Sequence, residues 1–153
     1  MIEIIVENVH INEQTQQHVV TLLAKAKKAE EKGRFLFISI NHEAAYAITI
    51  ELKGTKLDPA ALLPHDLLKD VIDALGGKIE GVEIWDLQEE VFRGRIVLDA
   101  ADRRLRLNAR LGDAIALALR AGAPIFVVEQ VMKEAGVLLP GTPDESSSFD
   151  AQA

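Results

Sequence analysis

Residues 79–109 read IEGVEIWDLQEEVFRGRIVLDAADRRLRLNA. Three runs rich in β-branched and apolar residues, Ile79 to Asp86, Val91 to Leu98 and Arg104 to Ala109, are separated by the short stretches LQEE and DAAD. Connections this short join antiparallel neighbours, so the stretch predicts a three-stranded meander. The sequence GDAIALALR, Gly112 to Arg120, follows it and predicts a helix. Upstream the same order recurs. Strands are expected over residues 1–9, over Val19 to Ala24 and over Arg34 to Ile40, followed by a helix from Glu43 to Leu52 that Asn41 is placed to cap. Arg34 precedes Glu43-Ala44 by nine residues, and Arg104 precedes Asp113-Ala114 by nine. The fold class expected is α+β: a single domain of two β-β-β-α-like units, antiparallel meanders with short helices, arising from internal duplication. The repeat also places Glu43 and Asp113 at equivalent helix N-termini.

A further helix is expected from His65 to Leu75, where Leu67, Leu68, Val71, Ile72 and Leu75 make an apolar stripe and Gly76-Gly77 stop it. Lys53 to Pro64 reads as a loop, Ile125 to Val128 as a brief strand, and Glu129 to Ala135 as a last helix. Ala24 to Gly33 is charged without an apolar face and reads as an exposed connection. The domain is expected to span residues 1–139, and residues 140–153, PGTPDESSSFDAQA, have the composition of a flexible C-terminal tail. The expected core comprises Leu67, Val71, Leu75, Ile96, Leu98, Leu105, Leu107, Ile115 and Leu119.

Apolar residues make up 48% of the 153, enough for a full core without staples. There is no cysteine, which excludes disulfides and thiolate metal sites. The opening MIEIIVENVH has no basic start before an apolar run, and no apolar stretch approaches membrane-spanning length, so a cytoplasmic protein with no membrane contact is expected. A net charge of −7 argues against a protein that coats nucleic acid through bulk charge. The arginines are nonetheless clustered: seven of the eight lie between Arg93 and Arg120.

Strand alternation puts Arg93 and Arg95 on one face, and Arg104, Arg106 and Arg110 on the same face of the next strand. Like charges so placed repel. Acidic partners such as Glu83, a subunit contact or a bound polyanion would compensate, and the guanidinium fork suits phosphate. Glu43, Asp66, Asp86 and Asp113 lie at element ends and are the candidate ligands for Mg²⁺ or Mn²⁺. Acids in a first helical turn also stabilise the helix dipole, which alone accounts for Glu43, Asp66 and Asp113. His42-Glu43 and His65-Asp66 are histidine–acid pairs at helix starts, where histidine can act as general base. There is no Walker lysine, no G-x-S-x-G and no H-E-x-x-H, so triphosphate hydrolysis, serine-hydrolase and zinc-protease chemistry have no support.

The order of short motifs resembles the bifunctional nuclease domain family. His65-Asp66-Leu67-Leu68, Asp86 before a turn, Ala109-Arg110, the run Asp113 to Arg120 (DAIALALR) and Ala123-Pro124-Ile125 carry the resemblance. Upstream, Gly33-Arg34, Leu36, Ile38, Glu43-Ala44 and Ala47-Ile48 extend it, over about residues 1–136 in all. The resemblance implies a compact α+β domain, often a homodimer or higher homo-oligomer, with RNA or DNA as partner. It marks Glu43, His65, Asp66, Asp86, Arg110 and Asp113 as the polar positions. The chain departs from the family pattern at Asn108, where an acid is usual, at Gly112, where a hydroxyl is usual, and at Ala61-Leu62 and Pro64 before the histidine.

Three functions are therefore in play. The first is metal-assisted hydrolysis of RNA or DNA phosphodiesters, with Glu43, His65, Asp66 and Asp113 catalytic and Arg110, Arg104, Arg106, Arg93 and Arg95 on phosphate. The second is a non-catalytic module binding an anion or protein on the arginine face. The third is a self-associating protein in which that face is the subunit contact.

Overall fold

A computed structural model describes residues 1–25 and 32–138. The expected tail, residues 140–153, and most of the charged connection, residues 26–31, lie outside the described residues. The elements run β1 (Ile2–Asn12), β2 (Gln17–Ala24), β3 (Arg34–Ile40), α1 (His42–Leu52), a 3₁₀ turn (Pro59–Ala61), α2 (Pro64–Ala74), β4 (Lys78–Gln88), β5 (Val91–Ala100), β6 (Arg103–Ala109), α3 (Leu111–Ala121), β7 (Ile125–Val127), α4 (Glu129–Ala135) and β8 (Val137–Leu138).

The meander forms as read. β4, β5 and β6 pair antiparallel, joined by the two-residue turns Glu89-Glu90 and Ala101-Asp102. All four turn residues have positive φ, the backbone that matches the strands' own twist in a tight hairpin. β1, β2 and β3 make a second antiparallel meander. β7 joins the two, parallel to β4 and antiparallel to β1, so one eight-stranded sheet runs β6-β5-β4-β7-β1-β2-β3-β8. The fold is thus α+β, with β4-β5-β6 running outward on one side of β7 and β1-β2-β3 on the other, where β8 adds a further edge strand.

Alternation in β2 and β3 sends Val20, Leu22, Leu36 and Ile38 to one buried face, with α1 packed on β2 and α4 on β3. Together with Ile4, Ile48, Val82, Ile84, Ile115 and Val127 they form the buried centre. The expected core was placed too far toward the edge. Ile115 is fully buried; Ile96, Leu98, Leu105 and Leu119 are only half-buried; Leu67, Val71, Leu75 and Leu107 are exposed. Two causes are visible. β6 is an edge strand, beyond the strands that α1 and α3 cover most closely. α2 is fixed by polar side chains of its first turn, described below, which leave its apolar stripe facing outward.

Candidate functional site

Two helix starts meet. The Asn41 side chain accepts a hydrogen bond from the Ala44 amide at 2.8 Å and sets the first turn of α1. The first turn of α3 lies against it so closely that a Cβ at Gly112 would sit 2.7 Å from the Ala44 Cβ and 3.2 Å from that of Ile40. Glycine at this position is therefore a packing requirement of this chain. The approach brings Glu43 and Asp113, each in a first turn, to the wall of one cavity.

Asp113 is held from two sides. His65, in the first turn of α2, places its Nε2 2.8 Å from Asp113 Oδ1, and Arg110 donates through Nε to Oδ2 at 2.7 Å. A carboxylate only accepts, so His65 Nε2 carries the proton. Burial pushes the Asp113 carboxyl up, but the bonds and charges of His65 and Arg110 outweigh it and hold the group below the ordinary carboxylate range. The other ring nitrogen, His65 Nδ1, is buried with no hydrogen-bond partner. One ring nitrogen is thus bonded and the other buried, and the ring locks α2 to α3 through Asp113.

Asp66, the neighbour of His65, points elsewhere. Its Oδ1 accepts from Arg120 Nε at 2.6 Å and its Oδ2 from the Leu63 amide at 2.9 Å. Arg120, only 4% exposed, also donates to the carbonyls of Ala47 and Ala116 and so ties α1, α2 and α3 together. Burial raises the Asp66 carboxyl, and the Leu63 amide and Arg120 more than reverse this, leaving it lowered. Arg120 stands in the DAIALALR run, but its role is not readable there, since its partner is 54 positions away.

The arginine face is paired within the chain. Arg95 donates to the buried Glu83 at 2.7 Å and lies over the Trp85 ring at 5.3 Å; Arg106 reaches the same carboxylate at 3.4 Å. Arg93 lies 3.8 Å from Asp86, and Arg104 3.9 Å from Glu80. Glu83 supplies the compensation that the repulsion requires. By alternation this face is opposite Ile96 and Leu107, which line the cavity, so Arg93, Arg95, Arg104, Arg106 and Asp86 are not cavity residues.

The cavity has a volume of about 620 Å³. Glu43, His65, Arg110 and Asp113 stand on its wall, Asn108 and Tyr46 beside them, and Leu68, Ile96, Leu107 and Leu117 make the apolar part. Tyr46 was missed in the sequence, although its place three residues after Glu43 puts both on one helical face. Of the four acids expected to share Mg²⁺ or Mn²⁺, only Glu43 and Asp113 line this cavity; Asp66 is committed to Arg120 and Asp86 lies by Arg93. Among the described residues no group of three or more His, Asp or Glu side chains is placed to hold an ion. With both Asp113 oxygens already bonded, these side chains do not fit a resident divalent ion within one chain.

Eight strands in one mixed sheet and four α-helices define an α+β domain among the described residues. The chain matches the bifunctional nuclease domain over residues 26–140 and belongs to that family. Two uncharacterized proteins of Mycobacterium tuberculosis, from strains CDC 1551 / Oshkosh and H37Rv, are each 40% identical to it over 136 residues, which is 89% of this chain and 77% of theirs. Among the described residues no helix is long and apolar enough to cross a membrane.

Proposed function

We propose that the cavity is a phosphodiesterase site acting on RNA or DNA. The observation that supports it is the Asp113 carboxylate, clamped by His65 and Arg110 on the wall of a cavity that Glu43 also lines. Arg110 is 73% exposed and bonds Asp113 through Nε, which leaves its terminal nitrogens for the non-bridging oxygens of a phosphate. Glu43 takes the proton of the attacking water as the new P–O bond forms; the bond to the leaving oxygen breaks, and that oxygen takes a proton from solvent. Asp113 stays ionised and aims Arg110. His65 positions Asp113. No step passes through a metal ion, because Asp66 is committed to Arg120, Asp86 lies by Arg93, and both Asp113 oxygens are already bonded.

The test is cleavage of end-labelled RNA and DNA by the full chain with Mg²⁺, with Mn²⁺ and with EDTA. Glu43→Gln is expected to slow cleavage by about 100-fold or more, the usual size of a lost general base. Arg110→Gln is expected to raise KM more than it lowers kcat. No cleavage in any arm, or a Glu43→Gln variant as fast as the parent, would sink the proposal. Activity lost in EDTA and restored by Mn²⁺ would return an ion to the site and overturn the metal-free step.

A further inference from the structure

The pair His42-Glu43 contributes Glu43 to the proposed chemistry and leaves His42 without a part in it. His42 has a partner of its own. Alternation along β2 puts His18, Val20 and Leu22 on the face that α1 packs against. His18 stands near the start of that strand, opposite Ile40, two residues before α1 begins. Strand pairing thus delivers His18 to the first residue of the helix. His18 Nε2 and His42 Nδ1 lie 3.1 Å apart, with ring centroids 5.1 Å apart and planes tilted by 53°. The two rings line a separate small cavity of about 230 Å³, with Tyr46 one turn further along α1.

We propose that His18 and His42 bind a divalent transition-metal ion of the Zn²⁺, Co²⁺ and Ni²⁺ class, the ions that imidazole suits. The separation of the two nitrogens favours it. With metal–nitrogen bonds of about 2.0–2.1 Å, ligand atoms 3.1 Å apart subtend about 100° at the ion. That angle lies between the octahedral and the tetrahedral, so neither ring has to travel. As a bare hydrogen bond the pair needs one ring to donate and the other to accept. An ion takes the place of the shared proton and draws on both lone pairs. Competition is small. Among the described residues neither ring bonds a carboxylate, and no lysine or arginine lines the small cavity to repel a cation. The cavity leaves room for the waters that complete the coordination. His65 and His10 are differently placed. His65 has one ring nitrogen on Asp113 and the other buried. His10 falls on the opposite face of its strand, since Ile11 is the residue paired with His18, and its ring lies 3.4 Å from the Asn8 side chain. Bound between the two rings, the ion clamps the start of α1 to β2. The inference does not rest on the phosphodiesterase reading, and no step of that reaction passes through this ion.

The test is calorimetric titration of the full chain, prepared without a polyhistidine tag, with Zn²⁺, Ni²⁺ and Mg²⁺. One Zn²⁺ or Ni²⁺ per chain is expected to bind saturably, and excess Mg²⁺, which prefers oxygen ligands, is not expected to displace it. His18→Gln and His42→Ala are each expected to weaken binding by at least about tenfold, the smallest loss that follows removal of even an outer partner of a ligand. His10→Ala is expected to bind as the parent does. The thermal unfolding midpoint of the parent should rise with added Ni²⁺, since an ion held only by the folded chain stabilises it by mass action, and the two ligand variants should lose that rise. Far-ultraviolet circular dichroism checks that each variant is folded, and either folded variant decides the matter alone. No saturable binding, displacement by Mg²⁺, an affinity unchanged in a folded His18→Gln or His42→Ala chain, or an equal loss in His10→Ala would overturn the site. Heat and unfolding are the readouts, so a parent that cleaves no nucleic acid would count against the phosphodiesterase reading and leave this result standing.

Discussion

Asp66 and Asp113 are both first-turn acids, and each could be explained by a helix dipole. Their partners separate them: Asp66 faces a buried guanidinium inside the molecule, Asp113 an exposed arginine at a cavity. Removing the acid from Arg120 leaves an uncompensated cation that is 4% exposed. Asp66→Ala should therefore destabilise the fold by about 3 kcal/mol in urea unfolding, at the lower end for a broken buried pair because Asp66 itself is partly exposed. A loss under about 0.5 kcal/mol would show that Arg120 finds other partners. Acid stability follows from the same two groups. Both folded carboxyls lie below their ordinary value of 3.8, so the stability they contribute is full above that value and is lost as pH falls through their lowered values. The urea midpoint should drop below about pH 4, and Asp66→Asn with Asp113→Asn should remove part of the drop. An identical pH dependence in parent and double variant would refute the assignment.

At the scale of elements, the site exists because α1 and α3 touch at their first turns. Gly112 permits it, with a Cβ there meeting Ala44 at 2.7 Å. Alanine ordinarily stabilises a helix relative to glycine, by about 1 kcal/mol. At this contact the sign should reverse: Gly112→Ala is expected to cost about 1–3 kcal/mol through overpacking. Ala44→Gly in the same chain should recover part of that loss, as coupled neighbours do. Thermal unfolding of the two single variants and the double variant decides it; a stabilising Gly112→Ala would mean the helices separate freely. The elements themselves were largely legible in the sequence. Short turns forced the β4–β5–β6 meander, the Asn41 cap started α1, and Gly76-Gly77 closed α2, because each depends on neighbours a few residues away.

At the scale of the whole molecule, the same sequence logic stopped short. Alternation correctly separated Arg95 and Arg106 from Ile96 and Leu107, but it could not tell which face the helices would cover or how far their cover would reach. The apolar stripe of α2 was visible in the sequence, yet its direction was decided by His65–Asp113 and Asp66–Arg120, contacts across 48 and 54 positions. The sequence by itself determined the family, the strands and helices, and the pairing of Glu43 with Asp113 as first-turn acids, since periodicity, capping and turn chemistry are local. Only the tertiary structure decided that Asp66 braces the fold, that Glu83 neutralises the arginines, and that Glu43, His65, Arg110 and Asp113 share one cavity. Side-chain partnership depends on how the two meanders join across β7 and where α2 is pinned, and no local pattern encodes that distance.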